Sequence, residues 1–214
     1  NSAVFTLVDQ VLLRQLAVER ADRLVQVSAP DSETFGGGMG DDTELSYAMY
    51  RDLRDRNDVF AGMFCRMPWA MQAGYGGRTE PVSGELVSGS FFPVLGVQPA
   101  IGRLLAAEDD RVIGAHPVAV LGHGYWTRRF ASDPSIVGKT VVVNRQPLEI
   151  VGVAPARFVG LDFADPVDVY VPISMQPQMG PGWLELEGRR FRFVQVFGRL
   201  RDGVTIAQAG AALQ

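Results

Sequence analysis

Cysteine, lysine and long apolar runs are all scarce in this chain of 214 residues, and each scarcity excludes a class of protein. Cys65 is the only cysteine, which excludes an internal disulfide and a cysteine-based zinc site. No apolar run approaches the roughly 18 residues of a membrane span. Lys139 is the only lysine and the net charge is -4, so the chain lacks the clustered basic charge that binds nucleic-acid backbones. We therefore expect no nucleic-acid partner.

The composition indicates a folded, turn-rich protein. Hydrophobic residues make up 47% of the chain, which is enough for a sizeable core. The 24 glycines and 13 prolines favour strands and turns over a helical bundle. The chain starts at Asn1 without a basic leader or a cleavage pattern, and it stops at Gln214 inside a helical pattern. We expect it to be a piece of a longer protein.

The first 18 residues predict a helix with a broad apolar face, because apolar side chains recur at spacings of three and four. Two interpretations stay open. The helix packs on the protein's own core, or it is the end of a helix that continues into a membrane. The apolar positions on this face are Ala3, Val4, Leu7, Val8, Val11, Leu12 and Leu16.

The next eighty residues predict alternating strands and helices. Residues 23–28 alternate as a strand, and the glycine-rich residues 29–42 are expected to form a mobile loop. Thr43 is expected to cap an amphipathic helix from residue 45 to about residue 64, with a break near Asn57. Strands at 69–75 and 80–87 then flank a glycine turn, and a short helix occupies residues 89–95.

The second half of the chain is richer in strands. The predicted elements are strands at 117–121, 140–144, 148–153, 168–171 and 192–200, and helices at 125–130 and 204–213, the last capped by Thr205. The outer elements follow the order of a split βαβ arrangement, interrupted by the β-rich block. The sequence therefore predicts an α+β fold: a helix over residues 1–18, one subdomain from 19–95 and 190–214, and an inserted β-rich subdomain at 96–189.

Residues 192–200 decide whether this division is right. Apolar side chains fall on both faces of this segment, so we expect an interior strand rather than an edge strand. It should pair with a strand from the first hundred residues, such as 23–28.

Two glycine-containing segments have a superficial likeness to nucleotide-binding loops. Gly138-Lys139-Thr140 resembles the end of a phosphate loop, but Asp133 stands where that motif needs glycine, and a strand is predicted to follow. We expect a turn into a hairpin, and no ATP binding. Residues 36–40 do not follow a convincing strand, so a flexible loop is expected there rather than a dinucleotide site.

The remaining chemistry-bearing residues have structural interpretations. His116 and His123 are expected in turns, and Cys65 as a buried, inert thiol at the end of an apolar helical face. Two acidic clusters are expected to be solvated turns, although calcium binding or acid–base catalysis would use the same residue types. The arginines near residue 190 predict a salt-bridged surface or a partner contact. These residues are Glu108, Asp109, Asp110, Asp162, Asp165 and Asp168, and Arg189, Arg190 and Arg192.

Several stretches of the sequence, given at the end of this paragraph, resemble in their order and spacing the periplasmic core domain of macrolide-exporter-type (MacB-like) ABC transporter permeases. Within that family, the resemblance is strongest to the predicted-permease group typical of acidobacteria. The likeness spans essentially the whole chain. The chain departs from that group at Gln15, where proline is common. The matching stretches are residues 4–14, 89–97, Pro99 with Gly102 and Arg103, 125–130, Val137 with Gly138, and 150–155 with Phe158.

The resemblance implies a non-catalytic domain on the periplasmic face of the inner membrane, with a porter-like α/β part and an inserted β-rich part. It also implies no catalytic residues in this domain, and from the residues themselves we expect no cofactor and no metal. The implied partners are the permease's own transmembrane segments, a cytoplasmic ABC ATPase, and a second permease copy or a periplasmic adaptor. The domain would relay ATPase-driven motion for export of an unknown substrate.

Two other functions are compatible with the residues alone. A secreted or periplasmic module that binds peptides or glycans would need a concave patch of exposed aromatic side chains, for which Trp69, Tyr75 and Trp183 are the candidates. A hydrolase would need two of the acidic side chains to converge. Whatever the function, we expect apolar side chains to pack between the two subdomains, namely Phe91, Phe92, Val94 and Leu95. We also expect Trp126 and Phe130, four residues apart on one helix face, to pack on the smaller sheet.

Overall fold

The computed structural model describes residues 6–8, 18–28, 43–180 and 185–213. In these ranges the strands are β1 Thr6–Val8, β2 Leu24–Ser28, β3 Glu44–Leu45, β4 Phe60–Tyr75, β5 Arg78–Val87, β6 Ile101–Gly102, β7 Val118–Leu121, β8 Thr140–Val143, β9 Gln146–Val153, β10 Val169–Pro172 and β11 Val194–Leu200. The α-helices are α1 Tyr47–Arg56, α2 Phe91–Leu95, α3 His123–Phe130, α4 Gln176–Met179 and α5 Ile206–Ala212. None of these helices combines the length and the apolar character that crossing a membrane requires.

The described strands form one mixed sheet in the order β1-β2-β11-β4-β5-β10-β7-β9-β6. β3 lies beside β11, and β8 lies beside both β4 and β9. β10 runs parallel to β5 and β7 parallel to β9, whereas the other pairs are antiparallel. The fold is therefore α+β, as the sequence predicts.

Strand β11 lies inside the sheet, which confirms its predicted position. Val196 is opposite Val27 of β2 on one side and Cys65 of β4 on the other. Five of its seven residues are buried, and the other two, Gln195 and Arg199, are partly buried. A strand from the end of the chain thus joins two strands from its beginning.

Two hydrophobic cores cover the two faces of the sheet. The first core receives side chains from α1, α3 and α5, including Tyr50, Trp126 and Ala209. The second core is centred on α2 and contains Phe64, Phe91, Phe92, Phe158, Tyr170 and Phe197. Successive strand residues point to opposite faces, so neighbours such as Val196 and Phe197 belong to different cores.

The predicted helix over residues 1–18 is wrong at Thr6–Val8, which form strand β1 antiparallel to β2. The backbone N–H and C=O groups of β1 bond to β2, and a local sequence pattern does not predict such long-range pairing. The β-branched residues Thr6 and Val8 also favour a strand. The rest of that helix prediction, residue 18 apart, lies outside the described residues, as does the loop predicted at residues 29–42.

The predicted helix from residue 45 to 64 is also wrong at both ends. Ser46, not Thr43, caps α1, because its side chain accepts a hydrogen bond from the Met49 amide at 3.2 Å. Asn57 ends the helix: its amide group donates to the Leu53 carbonyl, and its side-chain oxygen accepts from the Phe60 amide. Residues 60–64 then belong to β4, since pairing with β11 outweighs their helical spacing.

Candidate functional site

The candidate site is the junction, the region where residues 96–189 meet the rest of the described chain. The sheet itself crosses the junction at two places. β10 pairs in parallel with β5, with Tyr170 opposite Glu85. β8 pairs with β4, with Val143 opposite Ala73. Backbone hydrogen bonds therefore connect the two parts of the chain, and side-chain contacts reinforce them.

Helix α2 places aromatic side chains at the centre of the junction. The ring of Phe91 packs edge-on against Phe64, with centroids 5.1 Å apart. The ring of Phe92 packs in the same way against Tyr170 of β10, also at 5.1 Å. Gly96 ends the helix with a φ of +70°, a left-handed conformation that favours glycine. The predicted packing role of this helix is thus confirmed.

Asp110 connects three elements of the junction. Its Oδ1 accepts a hydrogen bond from the Ser174 amide at 3.0 Å. Its Oδ2 accepts from the Gly89 amide at 3.2 Å and from the Tyr47 hydroxyl at 3.4 Å. Burial raises the pKa of Asp110, and these hydrogen bonds offset only part of that rise.

Asp109, beside it, is held by a different partner. Its carboxylate accepts two hydrogen bonds from the Arg103 guanidinium, at 2.6 and 2.9 Å, and one from the Ala106 amide. Burial alone would raise the pKa of Asp109, but these contacts lower it below its ordinary range. The expectation of solvated turn acids is therefore wrong for both residues: Asp109 accepts from Arg103 and Ala106 within residues 96–189, and Asp110 accepts from groups on both sides of the junction.

Three polar side chains on neighbouring strands interact on the face of the sheet that carries the second core. The Arg66 guanidinium donates to Glu85 at 2.7 Å and to Gln195 at 2.8 Å. Glu85 is fully buried, and its second oxygen and the neighbouring Tyr170 hydroxyl have no hydrogen-bond partner. Burial raises the pKa of Glu85, although the Arg66 charge opposes that shift.

The C-terminal end of α2 is bonded both to the chain before β2 and to strand β11. Arg199, at the end of β11, donates to the Val94 carbonyl at 2.9 Å and to the Arg20 carbonyl at 2.8 Å. The Glu19 amide donates to the Leu95 carbonyl at 3.1 Å. The chain before β2, the end of β11 and helix α2 therefore form one connected unit.

Comparison with known proteins agrees with this fold. The sequence model of the MacB-like periplasmic core domain family matches residues 1–214. The chain belongs to this family. Macrolide export ATP-binding/permease protein MacB of Salmonella paratyphi A (strain ATCC 9150 / SARB42) and that of Salmonella typhi are each 26% identical to it over 200 residues. The match covers 87% of this chain and 28% of each relative, so the chain spans less than a third of their length.

Solved structures share the architecture of this MacB-like domain. The periplasmic region of MacB from Actinobacillus actinomycetemcomitans is 18% identical, with a TM-score of 0.66 over 95% of this chain and 86% of that one. The extracellular domain of the noncanonic ABC-type transporter YknZ from Gram-positive bacteria is 15% identical, with a TM-score of 0.59 over 77% of this chain and 78% of that one. The family match identifies the chain as a MacB-like periplasmic core domain, and these solved structures share its fold.

The phosphate-loop likeness of the MacB-like domain is a turn, as the sequence predicts. Gly138 has a φ of +83°, Lys139 is exposed, and β8 begins at Thr140. Asp133 caps the preceding 3₁₀ turn by accepting a hydrogen bond from the Ser135 amide. No helix follows to present amide groups to a phosphate.

The thiol and the histidines of the MacB-like domain do not converge on a reactive centre. Cys65 is fully buried in β4, on a strand rather than on the helix that was predicted. Burial raises the pKa of the Cys65 thiol well above its ordinary value, so it stays protonated. His116 precedes β7, and His123 begins α3, with its ring against Trp126. Within the described ranges, no three His, Cys, Asp or Glu residues are grouped to hold a metal ion.

The other predicted surface residues take part in ordinary contacts. Arg189 pairs with Asp52 of α1 at 2.5 Å, which fits a salt-bridged surface. Asp168 accepts from Arg128 at 2.8 Å, whereas Asp162 and Asp165 lie on an exposed loop. Of the candidate aromatic residues, Trp69 packs on Gly180 and Tyr75 on Phe130, and Trp183 lies outside the described residues.

Proposed function

We propose that this MacB-like domain is a non-catalytic relay in an ABC permease. It would carry motion driven by a cytoplasmic ATPase across the periplasmic side of the membrane, for export of an unknown substrate. The observation that carries the proposal is the connected unit of Arg199, Arg20 and α2. It joins the chain before β2 and the end of β11 to the aromatic side chains that contact β10.

The path of such a motion follows rigid, closely packed elements. A displacement of residues 19–20 would act on α2 through the Leu95 carbonyl, and a displacement of β11 would act through Arg199. Phe92 of α2 would pass the load to Tyr170 of β10. Packed interiors have low compressibility and transmit strain, so a small shift at one end would reach the other.

The proposal divides the chain as the sequence suggests. Residues 19–95 and 190–214 would form the porter-like body, and residues 96–189 the inserted body. Residues 1–18 would lie near the membrane. The partners would be the permease's own transmembrane segments and the ATPase, with a second permease copy or a periplasmic adaptor on the outer side.

The absence of catalysis is part of the proposal. The acids of the junction are occupied by Arg103, by backbone amides and by the Tyr47 hydroxyl, and the thiol is buried. A general acid or base must reach the proton that it transfers, and a nucleophile must reach its substrate. Side chains that serve as internal hydrogen-bond partners are suited to structure rather than to turnover.

Spin-label distances in the full-length permease with its ATPase test the relay. One label at Ala211→Cys on α5 and one at Lys139→Cys before β8 report across the junction, since both positions are exposed. A matched pair, Ala211→Cys with Asp58→Cys, reports within the porter-like body. The native Cys65 is buried, so it stays unlabelled. Because the packed elements should move together, we expect both distances to stay constant between the nucleotide-free and ATP-bound states, while the distance from Lys139→Cys to a spin-labelled lipid headgroup changes. A constant distance to the membrane in a transporter that still turns over ATP would reject the relay.

A further inference from the structure

A cleft of about 370 Å³ opens on the surface between α1 and residues 107–113. Tyr47, Arg51 and Arg54 line it from α1, and Arg111 and Ile113 line the opposite wall. Asp110 and Ser174 are also part of the lining. The cleft therefore has one wall on each side of the junction, and its volume is that of a small-molecule site.

Two of the three guanidinium groups of the cleft, those of Arg51 and Arg111, are only weakly engaged, and the third, that of Arg54, is paired with Asp55. Arg51 lies 3.7 Å from Glu187 and Arg111 lies 3.8 Å from Glu108, and both distances exceed a hydrogen bond. Arg54 donates to Asp55 through Nε and Nη2, which leaves Nη1 for another acceptor. Exposed ion pairs of this length contribute little, so an incoming anion displaces them at small cost.

The one carboxylate in the lining does not cancel this charge. Both oxygens of Asp110 already accept hydrogen bonds from Ser174, Gly89 and Tyr47. Among the lining residues, three guanidinium groups thus face one internally satisfied carboxylate, since Asp55, Glu108 and Glu187 lie outside the lining. The lining therefore presents cations to an incoming anion, on a protein whose net charge is -4.

Aromatic rings position two of the cations in advance. The Arg51 guanidinium lies over the Tyr47 ring at 5.7 Å, and that of Arg54 lies over the Tyr50 ring at 5.6 Å. Holding a guanidinium on a ring reduces the entropy lost when it binds a carboxylate. Ile113, 42% exposed, offers an apolar surface next to these charges.

We propose that this cleft binds a small organic anion with two or more carboxylates. Arg51 and Arg54 would hold one carboxylate from α1, and Arg111 would hold another from the opposite wall. Guanidinium groups match carboxylates with paired hydrogen bonds, which suits this ligand class. The site requires no movement of the domain, so it stands whether or not the relay operates.

Titration of the 214-residue chain with citrate, followed by amide NMR, tests the site. We expect saturable shifts of the Gly89, Ser90 and Ser174 amides. Arg51→Gln and Arg111→Gln, on opposite walls, should each weaken binding about tenfold, since a hydrogen bond to a charged group contributes that much. Arg56→Gln, an exposed arginine on the same helix outside the cleft lining, is the matched control and should leave the affinity unchanged.

Three outcomes would overturn the proposal. One is a linear, unsaturated response to citrate that sodium chloride reproduces at the same ionic strength. Another is an equal loss of affinity in Arg56→Gln and Arg51→Gln, which would indicate a general charge effect. The third is equal binding of acetate and citrate, because a single carboxylate cannot use both walls.

Discussion

The Arg66 guanidinium lies 2.7 Å from the Glu85 carboxylate inside the sheet, with 11% and 1% of the two side chains exposed. The pair joins β4 to β5, and Gln195 extends it to β11. One oxygen of Glu85 is paired with Arg66, and the other has no hydrogen-bond partner. The pair therefore holds a charge that is costly to bury and sensitive to the loss of its partner.

Replacing Arg66 by methionine should destabilise the domain by about 3 kcal/mol or more at neutral pH, because Glu85 is left as an unpaired buried charge. Urea unfolding measures the loss. Arg189→Met breaks the exposed pair with Asp52 and should change stability by less than about 1 kcal/mol. Adding Glu85→Gln to the Arg66 variant should restore part of the stability. A double variant less stable than Arg66→Met would contradict this account.

The stability of the domain should depend on the protonation of Glu85. Burial raises its pKa above the ordinary 4.5 in the folded state. Such a carboxyl contributes stability that is complete below the unfolded pKa and is lost as the pH rises through the folded pKa. Glu85→Gln removes this dependence, so the stability difference between variant and wild type should move in favour of the variant as the pH rises from 4.5. Unfolding curves at several pH values test the direction, and a difference that stays constant would refute it.

Phe91→Ala should lower the free energy of unfolding by about 3–5 kcal/mol, because it opens a cavity among Phe64, Phe92 and Tyr170 in the second core. The matched control is Phe163→Ala, since that ring is 50% exposed and should contribute less than about 1 kcal/mol. Thermal unfolding compares the two variants. Similar losses for both would mean that α2 does not pack as described.

Asp110→Asn should lower the free energy of unfolding by about 1–3 kcal/mol. The carboxylate now accepts hydrogen bonds from two N–H groups and one O–H group, and the amide NH₂ of asparagine is itself a donor that cannot accept them. Amide hydrogen exchange should also become faster at Gly89 and Ser174. Asp165→Asn, in the exposed 161–166 loop, serves as the control and should leave both amides protected. Unchanged exchange in Asp110→Asn would show that this carboxylate does not hold the junction.

Local patterns in the sequence were sufficient for many elements. The alternating residues of β8, β9 and β11 and the Thr205 cap of α5 can be read directly, because a turn and a two-residue period specify each element locally. The position of β11 inside the sheet also followed, since only an interior strand has apolar residues on both faces.

The errors have a common physical origin in long-range contacts. Residues 60–64 have helical spacing, yet they pair with β11, more than 130 positions along the chain. Likewise, Asp110 has the sequence pattern of a solvated acid because its partners Tyr47, Gly89 and Ser174 become neighbours only after folding. A charged cleft formed by Arg51 and Arg111 has no sequence signal for the same reason.

The insertion of β11 between β2 and β4 imposes an order on folding. β2 and β4 each have one edge that pairs with β11, so their pairing is complete only after residues 194–200 have been synthesised. Contacts of such large sequence separation close slowly, and unpaired strand edges invite association with other chains. A nascent chain that has not yet reached Val194 therefore exposes two open edges, and protection by a chaperone at this stage would matter more than protection of the finished domain.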